Sequence, residues 1–190
     1  MHNLPPIEFL NECFQYVETG GLIWRVRPRE HFNSEKGWKI FNTSYSGTRA
    51  GSKIVGGYSG VIIRGTVNAG RYLVHRVVWK MHHGTNPVGF IDHANGNKQD
   101  NRIENLREAT VTENLWNSRK RRGNMSSSYK GVCKVSGCNH WRAYIQDDGK
   151  QRFLGNYRTE IEAHEAYRQA AIRLHGAFAH ADLREAANAG

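Results

Sequence analysis

The sequence predicts an α+β protein made of two small units, and three observations carry that prediction. Tyr129–Val135, His140–Asp147 and Gln151–Tyr157 read as strands, separated by Ser136-Gly137 and Asp148-Gly149-Lys150, which are turn chemistry. A punctuated helix follows. Thr159 and Glu162 match a capping box, Gly176 closes the end, and Ala163, Ala166, Tyr167, Ala170, Ala171 and Leu174 share one face. Upstream, Phe90 to Ser118 reads as strand, loop, strand, helix. Strands grouped ahead of a helix in each unit make the class α+β.

The remaining elements follow in chain order. Ile7, Leu10, Phe14 and Val17 recur at helical spacing behind Pro5-Pro6, predicting an opening helix that reaches Val17. Glu18-Thr19-Gly20-Gly21 turns the chain, and Leu22, Trp24 and Val26 then alternate with Ile23, Arg25 and Arg27 as a half-buried strand does. From 29 to 60, Gly, Ser and Asn are frequent and no regular element is expected. Val61–Arg64 and Arg71–Val74 read as strands paired across Gly65–Gly70, and His75–His83 as a short helix closed by Gly84. Ile91-Asp92-His93 ends an apolar run, Ala94-Asn95-Gly96-Asn97 turns, and Asn105-Leu106-Arg107 returns as a strand. Thr110 with Glu113 forms a second capping box, predicting a helix from about Val111 into Arg119.

Composition narrows the function classes. The chain has 190 residues, a formal charge of +10 and 38% hydrophobic residues, enough for a folded core. No apolar run is long enough to span a bilayer, and the start lacks the pattern of a signal peptide. With only three cysteines, Cys13, Cys133 and Cys138, an intracellular setting is expected and no disulfide framework. The charge is unevenly spread: residues 116–127 hold four basic and no acidic groups, as much net charge as residues 1–115. Arg119, Lys120, Arg121 and Arg122 run into Gly, Asn and Ser, so 119–127 reads as a basic linker suited to lie along phosphates. The expected organisation is therefore 1–118, the linker 119–127, a second domain over 128–184 and a tail over 185–190.

The chemistry-bearing stretch is FIDHANGNKQDNRIENLREATVTENLWNS, Phe90 to Ser118. A lone Asp-His pair is ordinarily a buried histidine with a carboxylate partner, so the whole phrase matters. D-H-x-N-G, D-N-R-x-x-N-L-R and E-N-x-x-N together resemble the His-Asn-His (HNH) nuclease motif, in the branch of phage and intron-encoded homing endonucleases. The upstream H-R-V-V-W and T-G-G-L-I-W-R-V-R-P resemble that branch too, extending the likeness over most of 10–118, with 75–118 as its core. The resemblance implies a ββα-metal unit with an N-terminal β-rich extension. It makes His93 the general base, for which an imidazole of near-neutral pKa is suited. It makes Asp92 and Asn114, twenty-one residues after His93, the metal ligands, and Asn105 the central Asn that holds the loop by backbone hydrogen bonds. Asn117 is the alternative ligand. Arg107 and Lys98 are either phosphate contacts or solvated charges, and His75 is either core, the favoured reading, or a partner standing behind the site residues.

The second unit carries its own phrase: Tyr129-Lys130-Gly131-Val132, Trp141-Arg142-Ala143, Phe153-Leu154-Gly155 and Glu162-Ala163-x₃-Tyr167-x₂-Ala170-Ala171. It resembles the plant ethylene-response-factor (APETALA-type) DNA-binding domain over about 128–183, which implies a three-stranded antiparallel sheet reading the DNA major groove with a helix behind it. Strand alternation puts Trp141, Ala143 and Ile145 against the helix and Arg142, Tyr144 and Gln146 toward DNA, joined by Lys130, Lys134 and Arg152. Cys133, Tyr144 and Gln146 depart from the plant pattern, so the plant target sequence does not carry over. Cys133, Cys138 and His140 lack a fourth partner for a closed zinc site, and zinc is not expected.

These readings describe a site-targeted DNA endonuclease. It would hydrolyse a phosphodiester with His93 and one Mg²⁺ or Mn²⁺ ion and nick double-stranded DNA as a monomer, without a membrane or small-molecule partner. The alternative is a sequence-specific DNA-binding regulator with a vestigial nuclease centre.

Overall fold

In the computed structural model, which describes residues 3–66, 68–119 and 126–180, helix α1 spans Ile7–Cys13 and stops short of Val17. Phe14–Val17 is instead strand β1, paired antiparallel with β2, Gly21–Trp24, in the register Phe14↔Trp24 to Val17↔Gly21. Helical spacing misled here because Phe14 is buried in either conformation, while Tyr16 and Val17 favour a strand once a partner is within reach. The segment from 29 to 60 is also more regular than its composition suggests. It contains α2, Glu35–Tyr45, capped by the Ser34 hydroxyl, which accepts from the Gly37 N–H at 3.1 Å. Helix α2 buries none of its residues fully, and although Trp38, Phe41 and Tyr45 fall at helical spacing, the Gly, Ser and Asn around them mask that pattern.

The contacts divide the chain into two compact units, Met1–His93 with Asn97–Thr110, and Ala94–Gly96 with Val111–Gly190. In the first, β3 (Arg49–Ala50) joins β2, and β4 (Ser52–Lys53), β5 (Ser59–Ile63) and β6 (Gly70–Leu73) form a second antiparallel sheet. Helix α3, Val74–His83, continues directly from β6 and ends at Gly84, as expected. Its Val74, Val77 and Val78 pack with Leu10, Phe14, Leu22 and Ile63 in one apolar core. Burying each such side chain contributes roughly 1.5–3 kcal/mol. Strand β7, Phe90–His93, pairs antiparallel with β8, Leu106–Ala109, and their Ile91 and Leu106 enter the same core. The strand pair that carries the motif is thereby anchored to α3 and the N-terminal hairpin.

Gly20 fixes a further anchor. It sits at φ +81° in the β1–β2 turn, and a Cβ there would lie 2.4 Å from the Arg102 backbone nitrogen. Beside it, the Ile103 N–H donates to the Tyr16 hydroxyl at 3.2 Å. The N-terminal hairpin therefore supports the loop between β7 and β8.

The second unit has α4, Val111–Trp116, then β9 (Val132–Lys134), β10 (Trp141–Asp147) and β11 (Lys150–Tyr157) in the antiparallel order β11-β10-β9. Helix α5, Glu160–His175, packs behind this sheet, matching the architecture expected from the sequence. Its capping box is complete: the Glu162 N–H donates to Thr159 Oγ1 at 3.2 Å, and the Thr159 N–H donates to Glu162 Oε2 at 3.1 Å. Ala143 and Ile145 of β10 bury against Ala163, Tyr167, Ala170 and Ala171. Gly131, at φ +72°, permits this closeness, since a Cβ there would lie 2.2 Å from the Tyr167 ring.

Helix α4 stops at Trp116 rather than reaching Arg119. The Lys130 ammonium donates to the carbonyls of Leu115 (2.8 Å), Trp116 (2.9 Å) and Ser118 (2.8 Å), a cation satisfying the helix's last acceptors. The Trp116 ring stacks on His175, with centroids 4.2 Å apart. Among the described residues, no helix is long and apolar enough to cross a membrane.

Candidate functional site

The β7–β8 pair places Asp92 and His93 side by side, both buried, with Asp92 opposite Arg107 in the register. Arg107 donates to Asp92 Oδ2 from Nε at 2.9 Å and from Nη2 at 2.7 Å. Arg107, weighed from sequence as a phosphate contact, thus reaches the carboxylate of the neighbouring strand. The fork fixes the Asp92 side chain and offsets its charge in a largely water-excluded position.

His93 has a different partner. Its Nε2–H donates to Asn101 Oδ1 at 3.0 Å, and Asn101 is only 1% exposed. With the proton on Nε2, the basic nitrogen is Nδ1. Burial lowers the His93 pKa, and the Asn101 bond opposes part of that shift, so the imidazole is neutral at physiological pH. A neutral imidazole with a fixed tautomer can accept a proton, as a general base must.

The loop between the strands is held by its own side chains. Asn105 Nδ2 donates to the Asp100 carbonyl at 2.7 Å, closing the turn ahead of β8. Lys98 Nζ donates to the Gly56 carbonyl at 3.0 Å, Ser59 Oγ donates to Gln99 Oε1 at 2.9 Å, and Gln99 Nε2 donates to the Gly57 carbonyl. The β4–β5 turn is thereby tied to the motif loop. It brings Tyr58 to His93, with ring centroids 5.9 Å apart, and the Lys98 ammonium lies 4.4 Å from the Tyr58 ring centroid.

Behind His93 stands His75 of α3, edge-on at 5.0 Å between centroids. His75 is buried, and its Nδ1 has no hydrogen-bond partner among the described residues. Burial, with His93 and Arg76 adding to it, pushes its pKa down to about 3. A neutral His75 places no cation against the neutral His93. The next residue, Arg76, donates to the carbonyls of Gly89 (3.0 Å) and Pro87 (3.3 Å), holding the approach to β7.

Residues 72–115 match the HNH endonuclease family. Protein 3.8 of Escherichia phage T7 is 33% identical over 108 residues, covering 55% of this chain and 86% of that protein. The chain thus carries an HNH endonuclease domain over residues 72–115. An uncharacterized HNH endonuclease of Acanthamoeba polyphaga mimivirus is 36% identical over 90 residues, covering 47% of this chain and 45% of that protein. No solved structure gives a significant match.

The HNH match includes Asp92, His93, Asn105 and Asn114, and also His75, Asn101 and Arg107. His75, read from the sequence as core or as a partner behind the site, is both buried and against His93, whereas Asn101 was not singled out although it stands inside the D-N-R-x-x-N-L-R phrase. Asn101 carried one usable signal, a short polar side chain in a tight loop between two strands. Tyr58 carried none, because its approach depends on pairing between loops about forty residues apart.

In the second unit, Asn114 is half-buried on α4, and Asn117 follows the helix end, buried, with its N–H donating to Glu113 O at 3.1 Å. Among the described residues no three His, Cys, Asp or Glu side chains gather around one point. The donor pair implied by the HNH motif is one carboxylate and one amide, hard oxygens whose chemistry fits Mg²⁺ or Mn²⁺.

Of the residues assigned from sequence to a DNA face, Arg142 and Gln146 are exposed, and Arg142 Nε donates to Asn156 Oδ1 at 3.1 Å. Tyr144 and Phe153 pair across the sheet at 5.5 Å, and Lys134 is exposed, 5.9 Å from the Trp141 ring centroid. Arg152 forms an ion pair with Asp147 at 2.5 Å. Lys130 is engaged at the end of α4, and burial lowers its pKa to about 8. Arg119 is exposed, whereas Lys120, Arg121 and Arg122 lie outside the described residues.

Proposed function

We propose that the chain is a metal-dependent DNA endonuclease that nicks one strand at a chosen site. The observation that carries this reading is the buried His93, fixed by Asn101 as a neutral imidazole next to Asp92 inside the segment that matches the HNH family. His93 Nδ1 takes the proton of the attacking water, and Asn101 holds the ring so that this nitrogen keeps its direction. Asn105 keeps the loop closed, which keeps Asn101 in place. Asp92 and Asn114 would hold Mg²⁺ or Mn²⁺. When bound, such an ion neutralises charge on the phosphoryl group and the leaving oxygen.

The second unit serves as the address reader. Its likeness to the ethylene-response-factor domain, its exposed Arg142, Gln146 and Phe153 and the half-buried Tyr144 beside Phe153 support a sheet face laid in the major groove. Arg119–Arg122 and Lys134 add phosphate contacts of no sequence preference. The organisation into nuclease, basic linker and reader follows from this assignment.

The test is a supercoiled plasmid assay with Mg²⁺ or Mn²⁺. Nicking that disappears in His93→Ala, with DNA binding retained, supports the endonuclease. A wild-type protein that binds its target tightly and never cuts it is a regulator with a vestigial centre, and that result overturns the proposal.

A further inference from the structure

The first unit contains a groove of about 720 Å³, walled by α2 on one side and by β2, β3 and β5 on the other. Aromatic rings form a continuous run along it: Trp24 meets Phe41 edge-on at 5.1 Å, and Phe41 lies 5.3 Å from Phe32 and 5.0 Å from Tyr45. Tyr45 is 49% exposed, and the apolar side chains of Ile40 and Ile62 are exposed beside it. Three arginines line the groove, Arg27, Arg49 and Arg64, and no carboxylate does.

Arg27 is the telling residue. It is only 3% exposed, yet it forms no ion pair among the described residues. Its Nε donates to His31 Nδ1 at 3.2 Å and its Nη2 to the Arg64 carbonyl at 2.7 Å, and the Cys13 thiol, whose pKa burial raises, is a further neutral partner. Four aromatic rings surround the guanidinium, Phe9, Trp24, Phe32 and Phe41, with centroids 4.9–5.9 Å away. A buried cation held by ring faces and neutral acceptors lacks a formal countercharge, which an anionic ligand would supply.

We propose that this groove binds an unpaired nucleotide of a single DNA strand, with the base against the Phe41–Tyr45 rings and the flanking phosphates on Arg49, Arg64 and Arg27. In a duplex each base face is covered by its neighbours, so exposed ring faces suit an unpaired base, while arginines free of nearby acids suit its phosphates. The inference deepens the endonuclease reading by assigning the N-terminal extension a strand-holding role.

The experiment uses the full chain and a labelled oligodeoxythymidylate of about 12 nucleotides, titrated by fluorescence anisotropy without divalent ion. Tyr45→Ala is expected to weaken single-strand binding roughly five- to a hundredfold, the range of one base–aromatic stack. Arg49→Glu should weaken it similarly and Arg49→Lys much less, with the far-ultraviolet spectrum of each variant unchanged. Both altered residues are exposed, so the fold should survive the changes. A twelve-base-pair duplex should be affected less than the single strand.

Equal losses on duplex and single strand, or no loss on either, would overturn the proposal. So would preference for an RNA oligomer, or a concentration-dependent dimer lost in Tyr45→Ala while DNA binding is kept. The titration involves no cleavage: an inactive wild type would strike the endonuclease reading and leave this result standing.

Discussion

The Nε2 atom of His93 donates to Asn101 Oδ1 at 3.0 Å, and both residues are buried on the first unit's core side. One amide thus selects which imidazole nitrogen is basic. Asn101→Ala should lower the single-turnover nicking rate roughly 10–100-fold, the usual cost of losing a group that orients a catalytic side chain. DNA affinity should stay within about twofold, because Asn101 is enclosed by protein. A nicking rate equal to wild type would show that the His93 tautomer is set by something else.

The Arg107–Asp92 fork leads to a stability prediction. Arg107→Ala removes the cation that donates twice to the buried Asp92 Oδ2 and should cost about 3 kcal/mol in urea unfolding. Arg107→Lys should recover only part of that loss, because an ammonium cannot reproduce two parallel donors. If the alanine variant unfolds at the wild-type midpoint, the pair is an exposed surface bridge in solution.

Buried histidines give the first unit an acid-labile character. Burial lowers the pKa of His31, His75 and His93, with His75 at about 3. Neutral in the fold, they take up protons first in the unfolded chain. Their contribution to stability is complete above a pH of about 6.5 and is lost as the pH falls toward the folded values, by up to about 1.4 kcal/mol per pH unit for each group. Urea midpoints at pH values of about 7.5 and 5.5 should therefore differ, and His75→Gln should reduce the difference by about one group's share. Identical midpoints at both pH values would contradict this account.

Lys130 and Arg142 can be separated by salt. The Lys130 ammonium is committed to three carbonyls at the end of α4, while Arg142 is exposed on the sheet. Arg142→Ala should reduce the salt-dependence slope of DNA binding by about one. Lys130→Met should leave the slope unchanged and cost roughly 1–3 kcal/mol of stability through carbonyls left unsatisfied. Loss of slope in the lysine variant would place its ammonium on phosphate.

Gly20 links the N-terminal hairpin to the motif loop. Gly20→Ala puts a Cβ 2.4 Å from Arg102 N and strains a backbone at φ +81°. It should cost about 1–3 kcal/mol and slow nicking by displacing the Asn101 loop. Unchanged stability and nicking would mean that the loop is held from elsewhere.

Local pattern made some elements legible and left others hidden. The capping box and Gly176 bracket α5 in the sequence as they do in space, and Asp148-Gly149 marks the β10–β11 turn. Helix α2 stayed hidden among the Gly, Ser and Asn of 29–60, although Trp38, Phe41 and Tyr45 fall at helical spacing and Ser34 stood ready as its cap. Phe14 to Val17 read as helix until the pairing with Gly21–Trp24 was visible.

By itself, then, the sequence determined the strands and helices bounded by turn and cap residues, and the HNH phrase that names Asp92, His93, Asn105 and Asn114. Only the tertiary structure decided which polar groups meet: Asn101 on His93, Arg107 on Asp92, His75 behind His93, and Lys130 on the end of α4. Caps and turns are written in residues a few positions apart, whose geometry the backbone dictates. The other pairings join residues 8 to 18 positions apart, and their side chains meet only after strand register, loop closure and core packing have set where each one points.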